Sequence, residues 1–342
     1  MPPADSRIVQ DRPPKPAGAL EVRVRSITYL GEQINAYEVV SLEGEELPEF
    51  TAGSHIDLYF RDGRVRQYSL CGDPRERRHY VFAVQREEHG RGGSKAIFEL
   101  VHPGRILAIS TPRNNFPLRE AAGHHVLIAG GIGVTPIVSM VHRLCSMGAS
   151  FELHYGVRTR QKLAFGEELR SLAGERLEVY IDGGDPRRGM SVEGIVAKAA
   201  PDAHIYCCGP AGLMRAVKAA TARLPADRVH FEHFEAPASA PGVPRELLGD
   251  ERDTIGVGFQ IRLARSGRVF DVPNDKSIVQ VLREHGIEVP TSCESGLCGT
   301  CRTRYLAGEP DHRDYVLDDE ARRHDVLICC ARSKSPSLVL DL

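Results

Sequence analysis

The chain has 342 residues, of which 42% are apolar and 26% are charged, and its formal net charge is -2. This composition is typical of a globular protein, and the length predicts two or three domains. Acidic and basic residues are interspersed, which argues against nucleic acid and membrane surfaces as partners. Residues 1–19 are rich in proline and charge, with no apolar stretch suited to a signal peptide, so we expect a disordered tail and a cytoplasmic protein. The longest uncharged stretch, 126–141, is broken by glycines and a proline and predicts no membrane span.

Residues 20–122 contain short β-type runs (VRVRSI, AYEVVSL, HIDLYF, YVFAVQ) separated by turn residues. Such runs predict a small antiparallel β-barrel, and residues 95–101 predict one short helix within it.

The run RQYSL in this barrel suits a flavin. Arg66 and Tyr68 share one face of the strand, and Ser69 follows them. A guanidinium fits a phosphate, a tyrosine ring can pack on an isoalloxazine, and a hydroxyl can bond to a ring nitrogen. A plain surface strand would explain these residues about as well. The loop Arg91-Gly92-Gly93-Ser94 favours the flavin, because its N–H groups and hydroxyl could hold the same phosphate.

Residues 123–236 alternate strand and helix patterns, which predicts a Rossmann-like domain with a parallel sheet covered by helices on both faces. Its strands are VLIAG, FELHYG, LEVYIDG, HIYCCG and VHFE, and further helices are expected near 167–172, 191–199 and 211–224.

The turn GGIGVTP, residues 130–136, follows the first of these strands and opens a helix, where a pyrophosphate is favoured. Gly131 and Gly133 would let the backbone approach the ligand, Thr135 is predicted as the N-cap, and Pro136 as the first helical residue. Glycines needed only for close packing are the alternative explanation.

A second turn, Cys208-Gly209-Pro210, ends another strand at the carboxyl edge of the sheet, where ligands bind. Cys208 alone would more often be a core thiol. The run DGGD at 182–185 could accept ribose hydroxyls or could be simple turn chemistry. Arg158 and Arg160 could contact phosphate or could be solvated.

Residues 237–256 are rich in proline, alanine and charge and predict a linker. Residues 257–342 then predict a third domain. It has two strands about a Ser-Gly turn, a helix capped by Ser277 and closed by Gly286, and a final strand in LVLDL.

This last segment holds five of the nine cysteines. Cys293, Cys298 and Cys301 have the spacing C-x4-C-x2-C, and Cys329 follows after 27 residues, as in plant-type [2Fe-2S] ferredoxins. Glycines in the loop would let backbone N–H groups reach the sulfides. A structural zinc site is the alternative, although zinc motifs usually pair C-x2-C units. Since Cys329 and Cys330 are adjacent, only one should ligate, and spacing alone does not choose between them.

The chain from about residue 20 to 342 resembles the phthalate dioxygenase reductase family, which includes the reductases of vanillate demethylase. The resemblance rests on RQYSL, AVQRE, GRGGS, GGIGVTP, YCCGP, HFEHF, CESGLCGTC and ICCARSKS, all in the family's order. It implies a multidomain α/β plus β protein, with a flavin-binding barrel, an NAD-binding domain and a C-terminal β-grasp ferredoxin domain. It also implies FMN rather than FAD.

The resemblance further implies the roles of individual residues. Those expected to contact or border FMN are Arg66, Tyr68, Ser69, Ala83, Val84, Gln85, Arg91, Gly92, Gly93, Ser94, Thr135 and Phe234. Gln85 stands where a lysine is common in relatives. The GGIGVTP turn and Cys208 with Gly209 and Pro210 would face NADH, and Cys329 would be the fourth iron ligand.

NADH delivers an electron pair and a [2Fe-2S] cluster takes one electron at a time, so a flavin between them is required. We expect Ser69 and Cys208 to assist hydride transfer, and NADH to be preferred over NADPH. The resemblance implies a Rieske oxygenase as a transient partner of the ferredoxin domain. Because of their charge next to Cys301, we expect Arg302 and Arg304 to help steer its docking. The alternatives are a cytochrome P450 or another acceptor, or a redox carrier without nucleotide turnover. A monomer is expected.

Overall fold

The computed structural model describes residues 16, 18–88, 92–234, 258–291 and 293–342. The chain divides into two compact units, one ending at Glu232 and the other beginning at His233. The predicted linker, residues 237–256, falls entirely outside the described residues. Among those that are described, no helix has the length and apolar character needed to cross a membrane.

The first part of the first unit is a six-stranded antiparallel sheet, ordered β4-β3-β6-β1-β2-β5. Its strands are β1 (Leu20–Gly31), β2 (Ile34–Ser41), β3 (His55–Tyr59), β4 (Val65–Ser69), β5 (His79–Gln85) and β6 (Ile106–Ile109). An additional bridge between Leu70 and Phe82 joins the two ends of this order, so the sheet curls on itself. Its apolar interior includes Val22, Val39 and Ile56. The predicted barrel is confirmed.

One helix interrupts the barrel, α1 (Gly93–Leu100), and it begins two residues earlier than the sequence predicts. Gly92 at its N-cap is left-handed with φ 78°, and it supplies no side-chain cap. A glycine adopts that conformation at little cost, so the chain can turn sharply into the helix and leave the first N–H groups without a capping side chain.

The second part of the first unit is a parallel five-stranded sheet, ordered β11-β10-β7-β8-β9. Its strands are β7 (His125–Gly130), β8 (Phe151–Val157), β9 (Leu177–Ile181), β10 (His204–Cys208) and β11 (Val229–Glu232). Its helices are α2 (Val134–Met147), α3 (Gly166–Ala173), α4 (Val192–Lys198) and α5 (Ala211–Ala220).

Alternate residues of β7 point to opposite faces, so Leu127 joins one apolar core while Val126 and Ile128 join another. This is the predicted two-faced α/β arrangement. Helix α5 ends four residues before its predicted end, and at its last turn the Thr221 hydroxyl donates to Val217 O at 2.7 Å. Pro225 lies shortly beyond, as is common after a helix end.

The second unit carries a mixed five-stranded sheet, ordered β13-β12-β18-β14-β16, and a two-stranded sheet of β15 and β17. The strands are β12 (Phe259–Leu263), β13 (Val269–Val272), β14 (Arg302–Ala307), β15 (Pro310–Asp311), β16 (Asp325–Leu327), β17 (Arg332–Ser333) and β18 (Ser337–Leu340). Helices α6 (Ile278–Glu284) and α7 (Asp319–Arg322) accompany them. Ser277 and Gln280 form a capping box at the start of α6, and Gly286 beyond its end has φ 72°, as the sequence predicts.

Candidate functional site

Two strand-to-helix turns pack directly on each other at the carboxyl edge of the parallel sheet. After β7, residues 131–133 form one turn of 3-10 helix, and after β10 the chain turns at Gly209 and Pro210. A Cβ placed on Gly133 would lie 2.4 Å from Cys208 O and 2.7 Å from Gly209 Cα. Only a glycine fits there, so the structure brings the two predicted nicotinamide signals together.

The predicted N-cap of the following helix is wrong. The 3-10 turn shifts the start of α2 to Val134, with Gly133 as its N-cap. Thr135 is therefore helical, almost fully buried, and donates its hydroxyl to Ile132 O at 3.0 Å. Pro136 occupies the third helical position rather than the first, where it is tolerated because the N–H groups of the first turn have no partner within the helix.

Cys208 is fully buried beneath these turns. Burial raises the pKa of its thiol well above the usual value, and the nearby Glu232 adds to the effect. A neutral, fully buried thiol is a poor nucleophile, so the structure argues against an attacking role for Cys208.

Arg66 of the barrel strand β4 lies against the start of helix α1. A Cβ added to Gly93 would lie 2.7 Å from Arg66 Nε, which means that the guanidinium stem lies directly over the glycine. The helix start has no capping side chain at Gly92. A guanidinium beside uncapped N–H groups fits a phosphate group, as the sequence predicts for FMN.

The aromatic and hydroxyl members of the same strand are held in place by the barrel. The ring of Tyr68 lies 5.5 Å from that of Phe82, which in turn stacks on Tyr37. Ser69 is buried, and its Oγ makes no hydrogen bond of normal geometry to the described residues. An unsatisfied buried hydroxyl costs stability, so it calls for a partner such as a flavin ring nitrogen.

Glu232 is a candidate site residue that we did not single out from the sequence. It ends β11, and its Oε2 is buried without a hydrogen-bond partner in the described parts of the chain. Burial raises the pKa of this carboxyl to about 8, and the neighbouring Ser69 hydroxyl opposes the shift in part. The available signal was its position at the carboxyl end of a parallel strand, within the HFEHF motif.

The structure gives less support for a flavin contact at the other residues that the sequence predicts. Ala83 and Val84 are buried in β5, whereas the Gln85 amide donates to Glu87 Oε1 at 2.8 Å. The Ser94 hydroxyl accepts from Glu87 N at 3.0 Å. Phe234 is 41% exposed just after β11. Arg91 lies outside the described residues.

The DGGD run shows turn chemistry. Asp182 Oδ1 accepts from Gly184 N at 2.7 Å, and Asp185 Oδ1 accepts from Arg187 N at 3.1 Å. Arg158 and Arg160 are exposed after β8. The structure therefore favours the local-turn explanation for the two aspartates.

The four predicted iron ligands approach one another in two pairs. The Cys293 thiol hydrogen-bonds to Cys298 and lowers the pKa of Cys298, and the Cys301 thiol hydrogen-bonds to Cys329. Across the described residues, no three Cys, His, Asp or Glu side chains could hold a single metal ion. Two thiol pairs are what a two-iron cluster requires, so these residues fit [2Fe-2S].

The backbone of the cysteine loop also suits a cluster. Ser295 N and Leu297 N donate to Cys293 Sγ at 3.4 and 3.3 Å, and Thr300 N donates to Cys298 Sγ at 3.5 Å. Gly296 and Gly299 both have positive φ, 74° and 73°. Such donors stabilise the negative charge on cluster sulfurs.

The choice between the last two cysteines follows from their neighbours. Cys329 is buried beside Cys301, whereas Cys330 is half-buried and donates to Leu327 O at 3.6 Å. The Cys330 sulfur also lies only 2.8 Å from where a Cβ of Gly296 would stand. This arrangement favours Cys329 as the fourth ligand. Nearby, Arg302 is bonded to Asp325 through Nε at 2.9 Å, so part of its charge is compensated.

Comparison with known proteins gives independent support. Residues 261–334 match the 2Fe-2S iron-sulfur cluster binding domain, and residues 127–219 match the oxidoreductase NAD-binding domain. The reductase subunit of tert-butanol monooxygenase / tert-amyl alcohol desaturase from Aquincola tertiaricarbonis is 54% identical over 96% of this chain and 97% of its own length.

Solved structures agree. The structure of phthalate dioxygenase reductase, described as modular for electron transfer from pyridine nucleotides to [2Fe-2S], is 38% identical, with a TM-score of 0.70 over 95% of this chain and 98% of that one. An intact type IV self-sufficient cytochrome P450 monooxygenase is 34% identical, with a TM-score of 0.84 over 99% of this chain and 44% of that one.

These similarities span nearly the whole chain, and the family's cofactors, FMN, NADH and a [2Fe-2S] cluster, are those predicted from the sequence. The chain is an oxidoreductase that belongs to the phthalate dioxygenase reductase family, whose named members include reductase components of oxygenase systems.

Proposed function

We propose that this protein is the NADH-dependent reductase component of an oxygenase system whose terminal acceptor is a Rieske-type oxygenase. The acceptor rests on the similarity to the reductases of phthalate dioxygenase. The observation that carries the flavin and nicotinamide part of the proposal is the meeting of Ser69, from the barrel, with Glu232, from the parallel sheet. The two side chains interact with each other, and neither Ser69 Oγ nor Glu232 Oε2 has another hydrogen-bond partner among the described residues. They mark a place between the flavin strand and the nicotinamide edge where a bound ring would satisfy them.

FMN, when bound, supplies the conversion of a two-electron hydride into the single electrons that a cluster can accept. Arg66 and the start of α1 would bind its phosphate, since both present positive charge or N–H donors at one point. Tyr68 would lie against the ring system, held there by Phe82.

Ser69 and Glu232 would serve the reacting edge of the flavin. With a pKa of about 8, the Glu232 carboxyl holds its proton at neutral pH. A protonated carboxyl can donate a hydrogen bond, and the Ser69 hydroxyl can either donate or accept. The pair can therefore adapt to a ring nitrogen that changes its protonation during turnover.

The two glycine turns would orient NADH. The close packing of Gly133 on the Cys208 carbonyl leaves backbone, rather than side chains, at the carboxyl edge of the sheet. A dinucleotide can approach such an edge closely. Cys208 would fix the nicotinamide position as a neutral, buried thiol, without proton chemistry of its own.

In the second unit, Cys293 with Cys298 and Cys301 with Cys329 would each hold one iron. The half-buried loop residues between them leave an approach for an external acceptor. Electron-transfer partners generally meet through small, transient contacts, so few specific side chains are needed on this surface.

The test begins with anaerobic addition of about one equivalent of NADH to the purified holoprotein, followed by absorption and EPR spectroscopy. We expect bleaching of the flavin bands and the EPR signal of a reduced [2Fe-2S] cluster. The reduced protein is then mixed with a purified Rieske oxygenase or a purified cytochrome P450. Faster oxidation by the Rieske oxygenase supports the proposal. No reduction of the cluster by NADH would leave only the redox-carrier alternative.

A cytochrome P450 acceptor is the second candidate. The observation that favours it is the match of nearly this entire chain to part of a self-sufficient P450 at 34% identity. Preferential oxidation by the P450 in the mixing experiment would establish this alternative.

A further inference from the structure

An ion pair between a buried carboxylate and a partly exposed arginine adjoins the cysteine loop in the second unit. Asp314 has a side chain only 1% exposed, and its Oδ2 lies 3.5 Å from Arg322 Nη2. The same guanidinium donates to Asp314 O at 3.0 Å. The carboxylate also accepts from Val316 N and Leu317 N at 3.2 and 2.8 Å. One carboxylate thus fixes the course of residues 314–317.

That segment packs on the cysteine loop at its tightest point. Tyr315 N donates to Gly296 O at 3.1 Å. A Cβ on Gly296 would lie 3.2 Å from Asp314 Cα and 3.4 Å from Arg313 O. Gly296 lies between the ligand candidates Cys293 and Cys298, so any movement of Asp314 is passed to the loop that carries them.

The charge of Asp314 is incompletely balanced. Its Oδ1 is buried without a hydrogen-bond partner among the residues described. The Arg322 side chain is 35% exposed, so water screens the cation more than the carboxylate. His312 lies 3.7 Å away, but burial lowers the pKa of its ring, which leaves it neutral at physiological pH.

We propose that the Asp314 carboxylate, held by Arg322, is a positioning residue for the [2Fe-2S] cluster. It fixes the cysteine loop through Gly296, and its charge lowers the reduction potential of the cluster. A negative charge in a poorly screened interior disfavours the addition of an electron nearby. Loop geometry and potential are thereby set by one side chain that touches neither iron nor sulfide.

The test measures the midpoint potential of the cluster in the full-length holoprotein by redox titration followed by EPR, with iron and sulfide content determined in parallel. Asp314→Asn should raise the potential, because it removes the negative charge and leaves Arg322. Arg322→Met should lower it, because it removes the compensating cation. Arg322→Lys should stay near the wild-type value.

The matched control is Asp311→Asn, which removes the same charge from a carboxylate 31% exposed and paired with Arg313. Its effect on the potential should be much smaller than that of Asp314→Asn. A purely structural role would shift Asp314→Asn and Arg322→Met in the same direction, and that result, or no shift beyond the control, would overturn the proposal. If the Asp314→Asn variant loses its cluster, the comparison of Arg322→Lys with Arg322→Met decides instead. Equal cluster potentials in these two variants would contradict the proposal.

Discussion

The two redox regions of this molecule are built on opposite principles. In the second unit the groups that would bind iron are side chains, four thiols in two pairs, and a glycine loop only lets them converge. At the sheet edge of the first unit the main feature is the absence of side chains, since Gly133 leaves no room for a Cβ beside Cys208 O. Where side chains bind the ligand, the site depends on which residues are present. Where backbone binds it, the site depends on whether the packing leaves enough room for the ligand to approach.

The largest effect is expected where side chains ligate directly. Cys329→Ser should abolish the [2Fe-2S] EPR signal and reduce electron transfer to a one-electron protein acceptor to background. NADH oxidation with ferricyanide, which can take electrons from the flavin, should continue. Iron and sulfide analysis with EPR makes the measurement. Cys330→Ser is the control and should retain the cluster, and the reverse pattern would show that the ligand assignment is wrong.

The second prediction concerns the turn at Gly133, where the packing leaves no room for a side chain. Gly133→Ala would put a methyl group 2.4 Å from Cys208 O, so one of the two turns must shift. A displacement of about 1 Å near reacting groups costs roughly 100-fold in rate, and we expect a fall of about 10- to 100-fold in the rate of flavin reduction by NADH. Stopped-flow absorption at the flavin band measures it.

Gly212→Ala provides the matched control in the same domain. Gly212 is helical, and a Cβ added to it would meet no atom within 4 Å. The substitution should therefore leave NADH reduction unchanged and stabilise the helix slightly. Equal rates for both variants would remove the argument that close packing shapes the nicotinamide edge.

A third prediction concerns the Glu232 carboxyl. Its pKa of about 8 in the folded protein lies above the usual 4.5, so the folded state holds the proton more tightly than the unfolded state. The associated stability is present below about pH 4.5 and is lost as the pH rises toward 8. The total loss is on the order of 5 kcal/mol.

The Glu232→Gln variant should therefore not lose stability in this way as the pH rises. Urea unfolding of the flavin-free proteins, followed by tyrosine fluorescence between pH 5.5 and 9, should show the wild type falling relative to the variant. If the unfolding free energies of the wild type and the variant changed in parallel with pH, Glu232 would ionise in the folded protein without a stability cost. The hypothesis that Glu232 holds a proton beside Ser69 would then be wrong.

The smallest effect is expected at the exposed arginines beside the cysteine loop. Replacing Arg302 and Arg304 by Ala should slow transfer to the oxygenase a few-fold at low salt and have no effect at high salt, because rim charges act mainly on association. Arg302 is already bonded to Asp325, so the single Arg304→Ala variant should account for most of the change. Stopped-flow mixing across salt concentrations measures it, and a salt-independent result would exclude steering.

The same difference between side chains and space explains what could be predicted from sequence. The cysteine spacing was enough to predict the cluster site, because the type of the ligands and their separation along the chain can be read directly from the sequence. The turns at Gly133 and Cys208 were recognised as separate signals, but their contact depends on the order of parallel strands. Thr135 was misplaced as an N-cap because a 3-10 turn before α2 leaves no mark in residue preferences.

Glu232 and Asp314 were missed for a related reason. Each is an acidic residue in a segment that reads as an ordinary strand end or turn. Their importance arises from burial, which depends on which distant segments cover them: Ser69 for the first and Gly296 for the second. A sequence pattern reports local preference, whereas a buried charge is a property of tertiary packing.

The pairing of Cys301 with Cys329 has a consequence for how the second unit assembles. Three thiols belong to one short loop, but the fourth is separated from Cys301 by three short strands and a small helix. A metal centre that joins them closes a long chain loop, as a covalent cross-link would, and removes conformational freedom from the unfolded chain. Iron loading and folding of this unit are therefore thermodynamically linked.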